Sequence, residues 1–149
     1  MKLLLDTSFL LPTVGIDIDN EILKKCLKKL ENDFSTFELF YSQINLVEIS
    51  WVYLNERKSP NISSDHEQTF QIGMKSIETY YQELNIPPTN YLEAINIKYL
   101  GHSDLFDCLH YINSKNQQIQ FLSLDDIFFK FLKKNNFSTK FYLLAKDFI

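Results

Sequence analysis

Apolar residues fall in short continuous runs at some places along the chain and at helical intervals at others, and the two patterns alternate. "KLLLD" at the start is an apolar run closed by Asp6, and it predicts a short buried strand. Asp19 stands where it can cap a helix from Asn20 to Glu31 with its lysines outward. "FELFYSQ" predicts a second strand, and "INLVEISWVYLNERK" a helix after it. The polar stretch "SPNISSDHEQ" is a loop, and Ser64 with Glu67 forms a capping box for a helix running to about Leu84, short of Pro87 and Pro88. "TNYLEAINIKYLG" is a helix closed by Gly101 as a left-handed cap, after which Ser103 caps "DLFDCLHYINSKN". "IQFLSLD" is a strand, "DIFFKFLKKNN" a helix, and "KFYLLAK" a last strand. Strands alternating with helices in this way predict an α/β three-layer sandwich, a central and mostly parallel sheet covered on both faces.

Composition narrows the function more than the fold. A chain of 149 residues with 45% hydrophobic and 23% charged residues is expected to form one globular domain. With three glycines and neither a P-loop nor a dinucleotide fingerprint, a nucleotide-cradling enzyme is not expected. The run Leu3–Leu5 is too short for a signal peptide, and no segment reaches the length of a membrane span. Cys26 and Cys108 lack a CxxC partner and read as reduced, partly buried thiols of a cytoplasmic protein. The net charge of −4 conceals lysine clusters at Lys24 to Lys29 and Lys130 to Lys134, which suit either solvated helix faces or contacts to a nucleic-acid backbone.

Candidate chemistry lies in acids placed where apolar residues are the norm. Asp6 and Asp125 each end an apolar run and precede a helix. In open α/β sheets ligands bind beyond the carboxyl ends of the strands, so two such aspartates share one crevice if their strands are neighbours. Glu48 lies one helical turn from Ile44, Trp51 and Val52, on an apolar face where a carboxylate should be either paired or a ligand. The only arginine, Arg57, is too far along that helix to pair with it, whereas a lysine from elsewhere could. Asp107 falls beside the stripe of Leu105, Leu109 and Ile112, together with His110 and Tyr111. Asp104 has a simpler role in the favourable field at a helix start. Four dispersed carboxylates suit a hard cation such as Mg²⁺ or Mn²⁺ and repel one another without it.

The order "LLDTSFL", "SQINLVEI", "DCLHYI", "LSLDDIF" resembles the PIN-domain ribonucleases, VapC-type toxins among them, over essentially the whole chain. The resemblance implies a PIN-like α/β fold in which Asp6, Glu48, Asp107 and Asp125 are catalytic and hold Mg²⁺ or Mn²⁺. Ser8 and Ser123 match hydroxyl positions near the metal, Ser42 the strand end before the helix acid, and Phe128 the aromatic after the last acid. The chain departs from the pattern in "CLHYINSK", where small residues are usual, and in Asp126, which doubles the last acid. Which of Asp125 and Asp126 meets the metal, and whether Asp104 joins it, stays open at this point.

What the resemblance implies is a metal-dependent endoribonuclease cutting single-stranded RNA to leave a 5′-phosphate, with a homodimer as the expected assembly. Toxins with an antitoxin protein as partner, ribosomal-RNA processing nucleases and decay nucleases share these four acids, and the choice among them stays open at this point. The competing expectation is a catalytically idle PIN fold serving as an RNA- or protein-binding adaptor, which should shed costly buried acids. Other readings fit less well. Dehalogenase-type phosphatases need a second aspartate where Ser8 stands. "DIDNE" has Ile22 where an EF-hand loop needs glycine, and His66, His102 and His110 lack zinc-site spacing.

Overall fold

The computed structural model describes residues 1–56 and 64–149, with Ser64 described by its backbone alone. The last two residues, 57–58, of the helix expected after the second strand lie outside the described residues. So do residues 59–63 of the expected polar loop and the side chain of Ser64 in the expected capping box, whereas residues 64–68 begin a helix.

Strand β1 (Lys2–Leu5) leads to a one-turn helix α1 (Thr7–Leu10), a 3₁₀ turn (Leu11–Val14) and α2 (Glu21–Asn32). Then come β2 (Glu38–Tyr41), α3 (Gln43–Glu56), α4 (Ser64–Tyr80), β3 (Gln82–Glu83), α5 (Pro88–Tyr99) and α6 (Leu105–Gln117). The chain closes with β4 (Gln120–Ser123), α7 (Asp126–Lys134), β5 (Tyr142–Leu144) and α8 (Ala145–Phe148). Among the described residues the strands form one parallel sheet in the order β3-β2-β1-β4-β5. This is the α/β three-layer architecture the sequence pattern predicts.

Strand periodicity sends alternate residues into two cores. Leu3, Leu5, Leu39, Tyr41 and Leu122 pack on one face against α2, α4 and α8, while Leu4, Phe40, Phe121 and Tyr142 pack on the other against α5, α6 and α7. β1 is central and buried on both faces, so it reads as an unbroken apolar run. On the first face Gly73 of α4 lies against the 3₁₀ turn so closely that a Cβ there would fall 2.3 Å from the carbonyl oxygen of Thr13. Both cysteines are free and buried.

Several local expectations change. The helix expected to reach Leu84 ends at Tyr80, and the two-residue edge strand β3 follows, because Gln82 and Glu83 find partners in Phe40 and Tyr41. Asn20, not Asp19, caps α2: its Oδ1 accepts from the amides of Ile22 and Leu23, both at 3.0 Å. Asp19 instead pairs with Lys24 at 2.9 Å. Nor does α6 carry a single apolar stripe. Every residue from Cys108 to Ser114 is buried, because this helix is enclosed by the sheet, α5 and the chain around α7. Gly101 takes the left-handed conformation expected of it, with φ 110°, and turns the chain from α5 toward α6.

Candidate active site

The sheet order decides where the acids meet. β1 and β4 are neighbours, with Leu5 opposite Leu122, so Asp6 and Ser123 stand side by side at the carboxyl end. This is also where the strand order reverses, since the chain moves from β1 to β2 and β3 and then returns across β1 to β4. The amide of Asp6 donates to Leu122 O at 3.0 Å, and the Ser123 hydroxyl donates to Asp6 Oδ2 at 2.9 Å. Ser8, the second residue of α1, donates to the same oxygen at 3.2 Å.

Glu48 comes from α3. It is bound neither by a lysine nor by an arginine among the described residues; its Oε2 accepts from the Thr7 hydroxyl at 2.6 Å and lies 3.2 Å from His110 Nε2. The apolar face expected around it is only partly present, because Trp51 is 67% exposed while Ile44 is buried. His110 of α6 is 1% exposed, with Nδ1 left without a hydrogen bond. Asn45 completes the network. Its amide donates to Leu5 O at 3.2 Å and Thr7 Oγ1 at 3.0 Å, and its Oδ1 accepts from the Ser42 amide at 2.8 Å. Ser42 is therefore buried beneath the site.

At the start of α6 the cap is Asp104, not Ser103: Asp104 Oδ1 accepts from the Phe106 amide at 2.7 Å. That places Asp107 in the first helical turn rather than a turn beyond it. Its Oδ2 lies 3.1 Å from Nε2 of the buried His102, which the sequence reading did not connect to the site. Asp125 is the cap of α7, with Oδ1 accepting from the amides of Ile127 at 2.7 Å and Phe128 at 2.8 Å. Asp126 is drawn outward by Lys130 and by Lys146, the latter at 3.0 Å. Those lysines hold its carboxyl below the ordinary aspartate range.

A common pattern emerges. Each of Asp6, Glu48, Asp107 and Asp125 is anchored through one carboxylate oxygen, and its other oxygen makes no hydrogen bond among the described residues. Their charges act on one another. Burial, and then the charges of Asp6, Asp104, Asp125 and Glu48, push the Asp107 carboxyl up to about 8. Burial also raises Asp6, with Glu48 adding to the rise and His110 and the two serine hydroxyls opposing it. Burial lowers His102, and the nearby Lys98 ammonium lowers it further against the pull of Asp125 and Asp104. An all-oxygen donor set of this kind suits a hard divalent cation. As the side chains stand, however, no group of three or more acids, histidines or cysteines among the described residues is spaced to hold one ion. Each carboxylate leans toward its own anchor.

The role of Asp104 as a cap carries a prediction. Asp104→Asn retains a capping oxygen and is expected to change stability by only a few tenths of a kcal/mol, whereas Asp104→Ala costs about 1 kcal/mol. Thermal unfolding distinguishes the two, and Asp104→Asn should still bind Mn²⁺, weakened only by the loss of one nearby charge.

Comparison with known proteins agrees with this architecture. The PIN domain family model matches residues 3–134, and the chain belongs to the PIN domain family. Among solved structures, a chain of the VapBC2 complex from Rickettsia felis, bound to a DNA fragment from its promoter, superposes with a TM-score of 0.62. The match covers 97% of this chain and 98% of that one at 12% identity. No curated protein sequence matches. Among the described residues, no helix is long and apolar enough to cross a membrane.

Proposed function

We propose that the protein is a Mg²⁺- or Mn²⁺-dependent endoribonuclease cutting single-stranded RNA, the toxin of a toxin–antitoxin pair. The observation that carries this reading is the set of four carboxylates at the switch point of the sheet, each with one oxygen anchored and one available. In this reading Asp6, Glu48, Asp107 and Asp125 hold the metal. When bound, such an ion polarises the scissile phosphate and makes water a better nucleophile. The residues' part is to present negative oxygens and to keep them oriented: Ser8 and Ser123 fix Asp6, Thr7 and His110 fix Glu48, and the α7 amides fix Asp125. Lys98, whose Nζ donates to Ser103 O at 2.6 Å, is a cation beside the site that suits an RNA phosphate. Asp126, turned to Lys130 and Lys146, and Asp104, the α6 cap, stand outside the metal-holding set.

Membership in the family and the likeness to a chain of a VapBC complex support an antitoxin partner. A cavity of about 500 Å³ lined by Leu5, Phe9, Leu27, Leu30, Tyr80 and Tyr81 suits an apolar segment of such a partner. For the homodimer, α5 offers exposed Leu92 and Tyr99. The expected localisation is the cytoplasm, where Cys26 and Cys108 stay reduced.

One observation favours a second reading, an idle PIN adaptor: the acids as they stand are not spaced to share an ion. Incubation with single-stranded RNA separates the two. Cleavage is expected with Mg²⁺ or Mn²⁺, to stop in EDTA, and to weaken as salt screens phosphate contacts. Full activity in EDTA excludes the metal mechanism, and RNA binding without cleavage at any metal concentration favours the adaptor.

A further inference from the structure

We propose that His102 is a positioning residue that aims the Asp107 carboxylate into the acidic site. This deepens the metal-dependent reading above and rests on it. Asp6, Glu48 and Asp125 are oriented by hydroxyls, by His110 or by backbone amides. Asp107 has a single anchor among the described residues, Nε2 of His102 at 3.1 Å. The imidazole is itself immobilised. It stacks on Phe128 with ring centroids 4.1 Å apart and planes 26° apart, and Phe131 closes on it at 5.4 Å. Gly101, at φ 110°, turns the backbone immediately before it.

The ring thus links two acids of the site. Phe128, which it stacks on, donates its amide to Asp125, while its own Nε2 holds Oδ2 of Asp107 and leaves Oδ1 unbonded. In the Nε2–H tautomer, the bond fixes which Asp107 oxygen is spent on the protein and which remains for a cation. Without it a half-buried carboxylate facing three other acids turns away from them, since repulsion favours separation. Groups that orient metal-holding carboxylates from behind are worth roughly 10- to 100-fold in metal affinity.

Two substitutions divide the bond from the stack. His102→Phe keeps an aromatic ring on Phe128 and removes the donor; His102→Gln keeps a donor and removes the ring. Mn²⁺ affinity, measured by calorimetry on the whole chain, is expected to fall roughly 10- to 100-fold in His102→Phe. The metal-free Tm of that variant should stay close to wild type. In His102→Gln the Tm is expected to drop while Mn²⁺ affinity stays within a few-fold of wild type. Wild-type affinity in His102→Phe overturns the proposal, and so does loss of affinity in His102→Gln with the metal-free protein folded. Asp107→Asn serves as reference. If wild-type protein binds Mn²⁺ and Asp107→Asn does not, but His102→Phe does, His102 alone is misassigned. If the wild type itself fails to bind Mn²⁺, the metal reading falls and takes the His102 role with it.

Discussion

Without added metal, the protein should lose stability as the pH rises from about 6.5 to about 8, and Asp107→Asn should reduce that loss. The native Asp107 carboxyl keeps its proton up to about 8, whereas an unfolded aspartate releases it near 3.8. Between these values the unfolded chain binds fewer protons than the native one, so each rise in pH favours unfolding. The stabilisation is complete below the unfolded value and gone above the native one. Below about 6.5 His102 works the other way, because its native value is lowered and acid therefore destabilises the fold, so the upper window isolates the carboxylate. The loss expected from Asp107 over this window is about 2 kcal/mol, roughly 4–8 °C in Tm. Asp6, also raised by burial, acts with the same sign and keeps its contribution in the mutant. Thermal unfolding by circular dichroism in EDTA measures it, and a Tm that is flat or rising over this window contradicts the account.

Asp6→Asn is expected to abolish RNA cleavage, by on the order of 10²- to 10³-fold or more, while the metal-free Tm stays level or rises. Asp6 occupies the cap position of α1, with φ −63° and ψ 150°, but its side chain makes no capping bond there. Its hydrogen bonds are those it accepts from Ser8 and Ser123. An asparagine oxygen can accept both, so the substitution removes charge with little loss of bonding, and relieves repulsion from Glu48 and Asp107. At a hundredfold excess of Mn²⁺ over its Kd, the wild type should gain about 2.7 kcal/mol, roughly 5–10 °C, and the mutant far less. If Asp6→Asn unfolds in metal-free buffer, Asp6 is a structural residue and the apolar run ends there only to make a turn.

Why some of this was legible in the sequence and some was not follows from distance along the chain. Asp6 and Asp125 announce themselves because an acid at the end of an apolar run is a local anomaly. The parallel sheet then places them in one crevice. Glu48 and Asp107 were also legible as acids next to apolar positions, although the neighbours differ: Trp51 faces outward, and α6 is enclosed on nearly all sides. Their partners were not legible. Thr7 reaches Glu48 across 41 residues and His110 reaches it across 62, separations that only the folded chain closes. Asn45 gives no sequence signal apart from a polar residue one turn before Glu48. The caps went astray by one residue in each case, Asn20 for Asp19 and Asp104 for Ser103. Neighbouring residues were equally good cap formers, and backbone geometry chose between them. β3 is two residues long, too short to leave a periodic trace.

The position of β1 in the sheet has a consequence for how the molecule is made. The strand that carries Asp6 pairs on one side with β2, yet its other neighbour is far off: Leu3 is opposite Gln120, 117 residues later. At a synthesis rate of 5–20 residues per second, that edge waits roughly 6 to 23 s for its partner. During this interval an apolar strand has an open flank, and pairing at such sequence separation is intrinsically slow. The nascent chain carries Asp6 and Glu48 well before Asp107 and Asp125 emerge from the ribosome. A polypeptide released before residue 107 therefore has half of the acids, no β4 to set beside β1, and no assembled site.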